Sequence, residues 1–135
     1  MGRWMDGYLK RLDRVRRENL AGGGEHRLRI QQGLGKLTAR GRITRLVDAG
    51  SFEEMGSLVT DSRPPLDSIP RPCPSDGVIM GLGKIRTRTA ALCAMDFSVM
   101  SGSLGSQAAW KLADLVELAG QKRIPLISMF DSAGL

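Results

Sequence analysis

Apolar residues recur along this chain with two different periods, and the change of period divides it. Over residues 5–20, Leu9, Leu12, Val15 and Leu20 approximate one stripe while Lys10, Arg11, Arg14 and Arg17 cover the other faces. That spacing predicts an amphipathic helix, broken by Gly22-Gly23-Gly24. Its acids Asp6, Asp13 and Glu18 suit a packed arm better than an anchor on an anionic membrane. Residues 25–34 read as a second short helix and residues 35–37 as a turn. Thr38 is placed to cap a third helix over residues 39–47, despite Gly41. Asp48-Ala49-Gly50-Ser51 ends it, Ser51-Phe52-Glu53-Glu54 reads as the start of another turn, and residues 56–60 are strand-like.

Five of the six prolines fall within residues 61–75, a loop after which the helical, basic composition gives way to apolar runs. Residues 77–85 and 89–95 are two such runs, predicted to pair as a hairpin around Arg86-Thr87. Arg-Thr lacks the Gly or Asn of a tight primed turn, so a loop longer than two residues stays open. Residues 90–95 are apolar at every position, the mark of a strand buried on both faces. Leu104, Ala108, Leu112, Leu115, Val116 and Ala119 then repeat at helical spacing, with Ser103 as N-cap and Gly120 as the stop. Residues 124–130 form another apolar run. Strand, helix and strand in this order predict a parallel, right-handed crossover. In short, strands are expected over about 77–85, 89–96 and 124–130, and a helix over about 103–119.

With 135 residues and 41% hydrophobic content, the chain suffices for one modest core. No apolar run reaches the length of a membrane span, and charges among the first apolar residues leave no signal-peptide core. Cys73 and Cys93 lack metal-ligand spacing, so no metal is predicted, and Cys93 is expected to pack as a small hydrophobe. The net charge of +6 suits nucleic acid or phosphorylated small molecules, but a solvated surface explains it equally well. No stacking aromatics interleave with the basic residues, which argues against nucleic acid. The lone histidine, His26, lies among Arg27 and Arg29 and reads as solvated.

Asp96-Phe-Ser-Val-Met-Ser-Gly-Ser-Leu-Gly105 joins a predicted strand to a predicted helix through small residues. Such a junction turns backbone N–H groups and the positive helix end toward open space, where an anionic oxygen is welcome. Taken alone, these ten residues are explained as well by a helix cap with glycines for turn geometry. The run closing with Asp131-Ser132-Ala133-Gly134-Leu135 follows a buried strand, and the expectation is a piece of something larger.

Four blocks in order carry a resemblance. They are Gln32-Gly-Leu-Gly-Lys36-Leu-Thr-Ala-Arg40-Gly-Arg42-Ile43 with Leu46, Asp48 and Gly50-Ser-Phe-Glu-Glu54; Asp76-Gly77-Val78 with Gly81-Leu82-Gly83; residues 96–105; and Pro125-Leu126-Ile127 through Asp131-Ser132-Ala133-Gly134. Together they resemble the biotin-dependent acyl-CoA carboxyltransferases. These include the β subunits of propionyl-, acetyl- and methylcrotonyl-CoA carboxylases and the related methylmalonyl-CoA and glutaconyl-CoA decarboxylases. Two departures stand out. Ser101 occupies the first position of the family's usual Gly-Gly-Ser-Leu, and Ser132-Ala133-Gly134-Leu135 stands where Ser-Gly-Gly-Ala-Arg is usual. Both keep a backbone N–H, but a left-handed backbone at Ser101 would be strained.

The resemblance implies a crotonase-like (ClpP/crotonase) α/β fold of ββα units. Residues 1–55 would be an N-terminal helical arm, and residues 56–135 the first part of the N-terminal carboxyltransferase domain. It implies an acyl-CoA carboxyltransferase component that moves a carboxyl group between carboxybiotin and the α-carbon of a short acyl-CoA. Biotin would ride on a carrier rather than on this chain, and biotin itself is held to take the proton in this family. Oxyanion donors are expected among the backbone amides of Ser101, Gly102, Ser103, Ala133 and Gly134, individual assignments staying open. Lys36, Arg40 and Arg42 are candidates for the CoA phosphates. Salt bridges to Asp48, Glu53 and Glu54 are the rival reading, preferred for Arg40 and Arg42. Partners would be a biotin carboxylase or biotin carboxyl carrier subunit and further copies in a homo-oligomer, in the cytoplasm or, for a eukaryote, the mitochondrial matrix. By itself the chain is expected to lack turnover, and a truncated or split non-catalytic paralogue is the alternative.

Overall fold

Two apolar runs form the middle of the sheet. A computed structural model describes residues 2–60 and 73–134. In it β2 (Val78–Ile85) and β3 (Arg88–Met95) pair antiparallel, from Val78 opposite Met95 to Ile85 opposite Arg88. Only Arg86 and Thr87 remain between them, so the hairpin loop is two residues long. Both residues have positive φ, 48° and 68°, the backbone of a primed turn that Asn-Gly usually fills. A distant acid replaces the missing turn chemistry: the Asp48 carboxylate accepts the N–H of Arg86 at 3.0 Å and of Thr87 at 2.7 Å. Asp48→Ala is expected to lower stability by about 1–2 kcal/mol in urea unfolding. Adding Arg86→Asn and Thr87→Gly should recover most of that loss, and no recovery would show that Asp48 acts elsewhere.

The edge strands follow from pairing rather than from apolar content. β1 (Glu53–Met55) lies antiparallel to β2, with Glu53 opposite Leu82 and Met55 opposite Met80. β4 (Leu126–Met129) runs parallel to β3, with Ala91 opposite Leu126 and Ala94 opposite Met129. The order is β1-β2-β3-β4. The expected strand over residues 56–60 is therefore displaced to Glu53–Met55, which overlaps residues 51–54, expected as the start of another turn. Gly56, at φ 65°, ends it, and Glu54 turns its carboxylate onto Arg40. The proline loop lies outside the described residues except for its end, where Pro74–Gly77 makes a tight turn.

Both faces of β3 are covered, as its unbroken apolar run requires. On one face Val78, Met80, Ala91, Cys93 and Met95 pack against Ala108, Leu115 and Ala119 of α4 (Ser106–Lys122). Cys93 is buried, and burial pushes its thiol pKa up. On the other face Ile79 and Ala94 meet Ala39 and Ile43. Those two belong to α3 (Ala39–Leu46), and the Thr38 hydroxyl caps it by accepting the Gly41 N–H at 3.0 Å. α4 differs from expectation at both ends. It starts at Ser106 behind Gly105, not behind Ser103, and it passes through Gly120 to stop at Arg123, φ 52°.

The arm begins with α1 (Arg3–Leu20) and α2 (Glu25–Gly33). α1 is exposed along most of its length and buries only Asn19. The glycine break between α1 and α2 is a contact surface. A side chain at Gly23 would place its Cβ 1.7 Å from the Ser98 carbonyl oxygen, and the Gly23 N–H donates to Ser98 Oγ at 2.9 Å. Arg27 Nη1 adds a bond to the Ser98 carbonyl at 3.2 Å. The arm is thus seated on the segment that follows β3.

Candidate functional site

That segment is organised by its own backbone. The Asp96 carboxylate accepts both the N–H and the hydroxyl of Ser98. The chain then turns through three successive left-handed residues, Met100, Ser101 and Gly102, at φ 47°, 54° and 68°. At Ser101 this is the strained conformation that the Gly-to-Ser departure implied, a cost of roughly 1–2 kcal/mol. At Gly102 no side chain is possible: an added Cβ would lie 2.1 Å from the carbonyl oxygen of Asp131. The turn after β3 therefore abuts the turn after β4, and Ala133 N–H donates to Ser101 O at 3.0 Å. The two groups of candidate donors meet in space although they lie some thirty residues apart.

Four of the five candidate amides, those of Gly102, Ser103, Ala133 and Gly134, are engaged within the chain. Gly102 N–H donates to Val99 O at 2.9 Å and Ser103 N–H to Met100 O at 3.1 Å. Gly134 N–H donates to Ser132 Oγ at 3.0 Å. A thioester oxygen that used Ala133 would have to displace the Ser101 carbonyl.

The three candidate cations separate. Arg40 grips Glu54 at 2.5 and 3.0 Å, and Arg42 donates to the carbonyls of Met95 and Met129. Both tie the arm to the sheet, though Arg42 does so without the carboxylate partner anticipated. Lys36 pairs with Asp131 at 2.9 Å and rests 4.8 Å from the centroid of the Phe97 ring. It also lines a cavity of about 180 Å³, together with Arg27, Ile30, Leu34, Phe97 and Ser101. Gln31 borders the same cavity and is almost fully buried. Its Nε2 donates to Leu37 O at 3.0 Å, while its Oε1 has no hydrogen-bond partner among the described residues.

Two charged groups had no role in the sequence reading, although Asp76 stands in one of the family blocks. The Asp76 carboxylate is buried beneath the start of α4 and accepts the Ala108 N–H at 2.7 Å. This is why α4 begins behind a glycine: a Cβ at Gly105 would sit 2.5 Å from Asp76 Oδ2. Lys111, 4% exposed, donates through Nζ to Ser75 O at 2.8 Å and Val78 O at 2.5 Å. A signal for Lys111 was present, since it falls on the apolar stripe three residues after Ala108. Among the described residues no cluster of His, Cys, Asp or Glu could hold a metal ion, and no helix is long and apolar enough to cross a membrane.

Burial brings the Lys111 ammonium down to about 8, against the pull of Glu54 and Asp76 and with a push from Arg40. The unfolded chain then binds more protons than the native one between pH 8 and the ordinary value of 10.5, so this group makes stability rise with pH across that window. The rise should be on the order of 3 kcal/mol. Urea titrations of wild type and Lys111→Met at pH 8 and 10 are expected to show it in the former and not the latter. Equal slopes would place the titration on another group.

Comparison with known proteins matches this geometry to a group. The family model described as the carboxyl transferase domain covers residues 31–135. The carboxyltransferase subunit of propionyl-CoA carboxylase from Haloferax mediterranei is 38% identical over 130 residues, 96% of this chain and 25% of that protein. The methylmalonyl-CoA carboxyltransferase 12S subunit of Propionibacterium freudenreichii subsp. shermanii is 35% identical over 130 residues, again 96% of this chain and 25% of its own length. A crystal structure of transcarboxylase 12S, described as a hexamer assembly with methylmalonyl-coenzyme A and methylmalonic acid bound, superposes with a TM-score of 0.88. It is 34% identical and covers 99% of this chain and 26% of that one. The chain spans about a quarter of the length of these relatives. The likeness bears out the crotonase-like α/β reading, with a helical arm leading into a mixed sheet. A family match over residues 31–135, reinforced by this shared architecture, places the chain in the carboxyl transferase domain family.

Proposed function

We propose that this chain forms part of an acyl-CoA carboxyltransferase, which moves a carboxyl group between carboxybiotin and the α-carbon of a short acyl-CoA. The observation that carries the reading is the meeting of the turns after β3 and β4 beside a cavity shared by Lys36 and Ser101. Forming an enolate at the α-carbon puts negative charge on the thioester oxygen. Backbone N–H groups held at that point stabilise it without an ionisable side chain, about 3 kcal/mol for each well-placed donor. The amides at Ser101, Gly102, Ser103, Ala133 and Gly134 are the donors proposed. The same kind of donor suits the ureido oxygen of biotin, also a carbonyl that gains charge. Carboxybiotin, when bound, supplies the carboxyl group.

Within the cavity, Ile30, Leu34 and Phe97 offer an apolar wall, and Arg27 and Lys36 offer positive charge. That combination fits the methylene chain of a pantetheine arm and a nearby anionic group. The open acceptor on Gln31 suits an amide N–H of that arm. Arg40 and Arg42 are occupied inside the protein and drop out as phosphate ligands. By the same likeness the active assembly would contain further copies of the polypeptide and a biotin carrier with its biotin carboxylase. Residues 1–55 would act as the arm of the domain that follows, in the cytoplasm or, for a eukaryote, the mitochondrial matrix. The test is transfer of label from carboxyl-labelled methylmalonyl-CoA or malonyl-CoA to free biotin by the polypeptide that carries this chain. Label on biotin is expected; its absence with every short acyl-CoA would leave a non-catalytic paralogue as the better account.

A further inference from the structure

The proposed site depends on where the turn at residues 100–105 sits, and a reciprocal lacing of two elements fixes that position. Residues 75–77 form a second run of three left-handed residues, at φ 54°, 47° and 71°. The run touches the site segment directly. Gly77 O accepts the Asp96 N–H at 2.8 Å, and a Cβ on Gly77 would lie 3.5 Å from Val99. From this run Asp76 reaches up to the first turn of α4, and from α4 Lys111 reaches back to the carbonyl of its first residue, Ser75, and to that of Val78 just after it. Two carbonyls, at the first residue of a strained turn and just after it, are thereby held by one cation, and one helix start is held by the anion inside that turn.

The charges close into a neutral group. Lys111 lies within electrostatic reach of both Glu54 and Asp76, and Glu54 is gripped by Arg40 of α3. Lys111 thus feels two acids and one further base, each from a different segment. A buried ammonium is a poor source of stability, because desolvating it costs as much as its contacts return. An apolar residue at this point of the α4 stripe would serve the core better. Position of the backbone is what the ammonium adds, since a carbon chain cannot hold two carbonyls at fixed directions.

We propose that Lys111, with Asp76, is a positioning residue for carboxyl transfer: it fixes the start of α4 and through it the amides at residues 101–105. The claim rests on the carboxyltransferase reading for its activity arm and on backbone order for its second arm. In the intact polypeptide, Lys111→Met is expected to lower kcat at least tenfold with KM for the acyl-CoA within about twofold. Lys111→Arg, which keeps the donors, should stay within about threefold of wild type. Hydrogen exchange at the amides of Gly102 and Ser103 should quicken at least tenfold in Lys111→Met while β3 amides are unchanged. Unchanged exchange at those amides, or an equal rise across β3, overturns the proposal. So does a kcat that falls only with the folded fraction. Should Lys111→Met not fold, Asp76→Asn is measured instead and must show the same local quickening. A wild-type protein without transfer sinks the carboxyltransferase reading alone, and the exchange measurement still decides the positioning claim.

Discussion

Gly102→Val should reduce carboxyl transfer in the intact polypeptide at least a hundredfold. A β-branched residue at φ 68° is a backbone outlier, and its Cβ would stand 2.1 Å from the Asp131 carbonyl oxygen. The close neighbour is the chain's own backbone. The turns after β3 and β4 must therefore separate, and the Ala133 to Ser101 hydrogen bond is lost. Two or more donors leave the proposed oxyanion position, each with an effect of about 3 kcal/mol. Stability should also fall, because the clash is internal, so the variant is compared with wild type at equal folded fraction. A complementary change separates strain from chemistry. Ser101→Gly removes the left-handed strain and should raise stability by about 1 kcal/mol while transfer is kept. Normal transfer by Gly102→Val would show that the apposed turns are not the reacting site.

Gly23→Val is expected to unseat the arm. Its Cβ would meet the Ser98 carbonyl at 1.7 Å, a contact with backbone that no rotamer change relieves. The Gly23 to Ser98 and Arg27 to Ser98 bonds would go with it. Overpacking of this kind costs roughly 1–3 kcal/mol. More telling is the cavity, since Arg27 and Ile30 of α2 and Leu34 just behind it all line it. KM for the acyl-CoA should rise at least tenfold, and protease cleavage near residues 21–24 should appear. An unchanged KM with a cleaved arm would remove α2 from substrate binding. Gly24→Ala is the control for backbone strain in the same glycine break, because Gly24 has a positive φ, 95°, and open space around its Cβ.

The centre of the fold was legible because it is buried on two sides. The run from Ala90 to Met95 has no polar position to mislead, and the α4 stripe repeats at 3.6 residues. What escaped were features whose cause lies far along the chain. Arg86-Thr87 makes a tight turn only because Asp48 holds both amides. Glu53–Met55 looks helical or polar by itself and becomes a strand because β2 offers an open edge. α4 starts two residues later than Leu104, the first apolar residue of its stripe, because Asp76, thirty-two residues before Ala108, occupies the space in front of Gly105. At the site, family blocks located the turns at residues 101–103 and 133–134, but only coordinates show that they touch. Local pattern favoured salt bridges for Arg40 and Arg42 and left Lys36 open, and the structure gives Arg40 the Glu54 carboxylate, Arg42 two backbone carbonyls and Lys36 the Asp131 carboxylate.

The most direct measurement of the central claim is a crystal structure of the intact polypeptide with a non-hydrolysable short acyl-CoA thioester analogue. The account predicts the carbonyl oxygen 2.7–3.1 Å, the usual reach of an oxyanion donor, from one or more amides at residues 101–103 and 133–134. The pantetheine arm should run along Ile30, Leu34 and Phe97, near Lys36. A carbonyl oxygen held by a side chain, or an analogue bound away from the turns after β3 and β4, would contradict it.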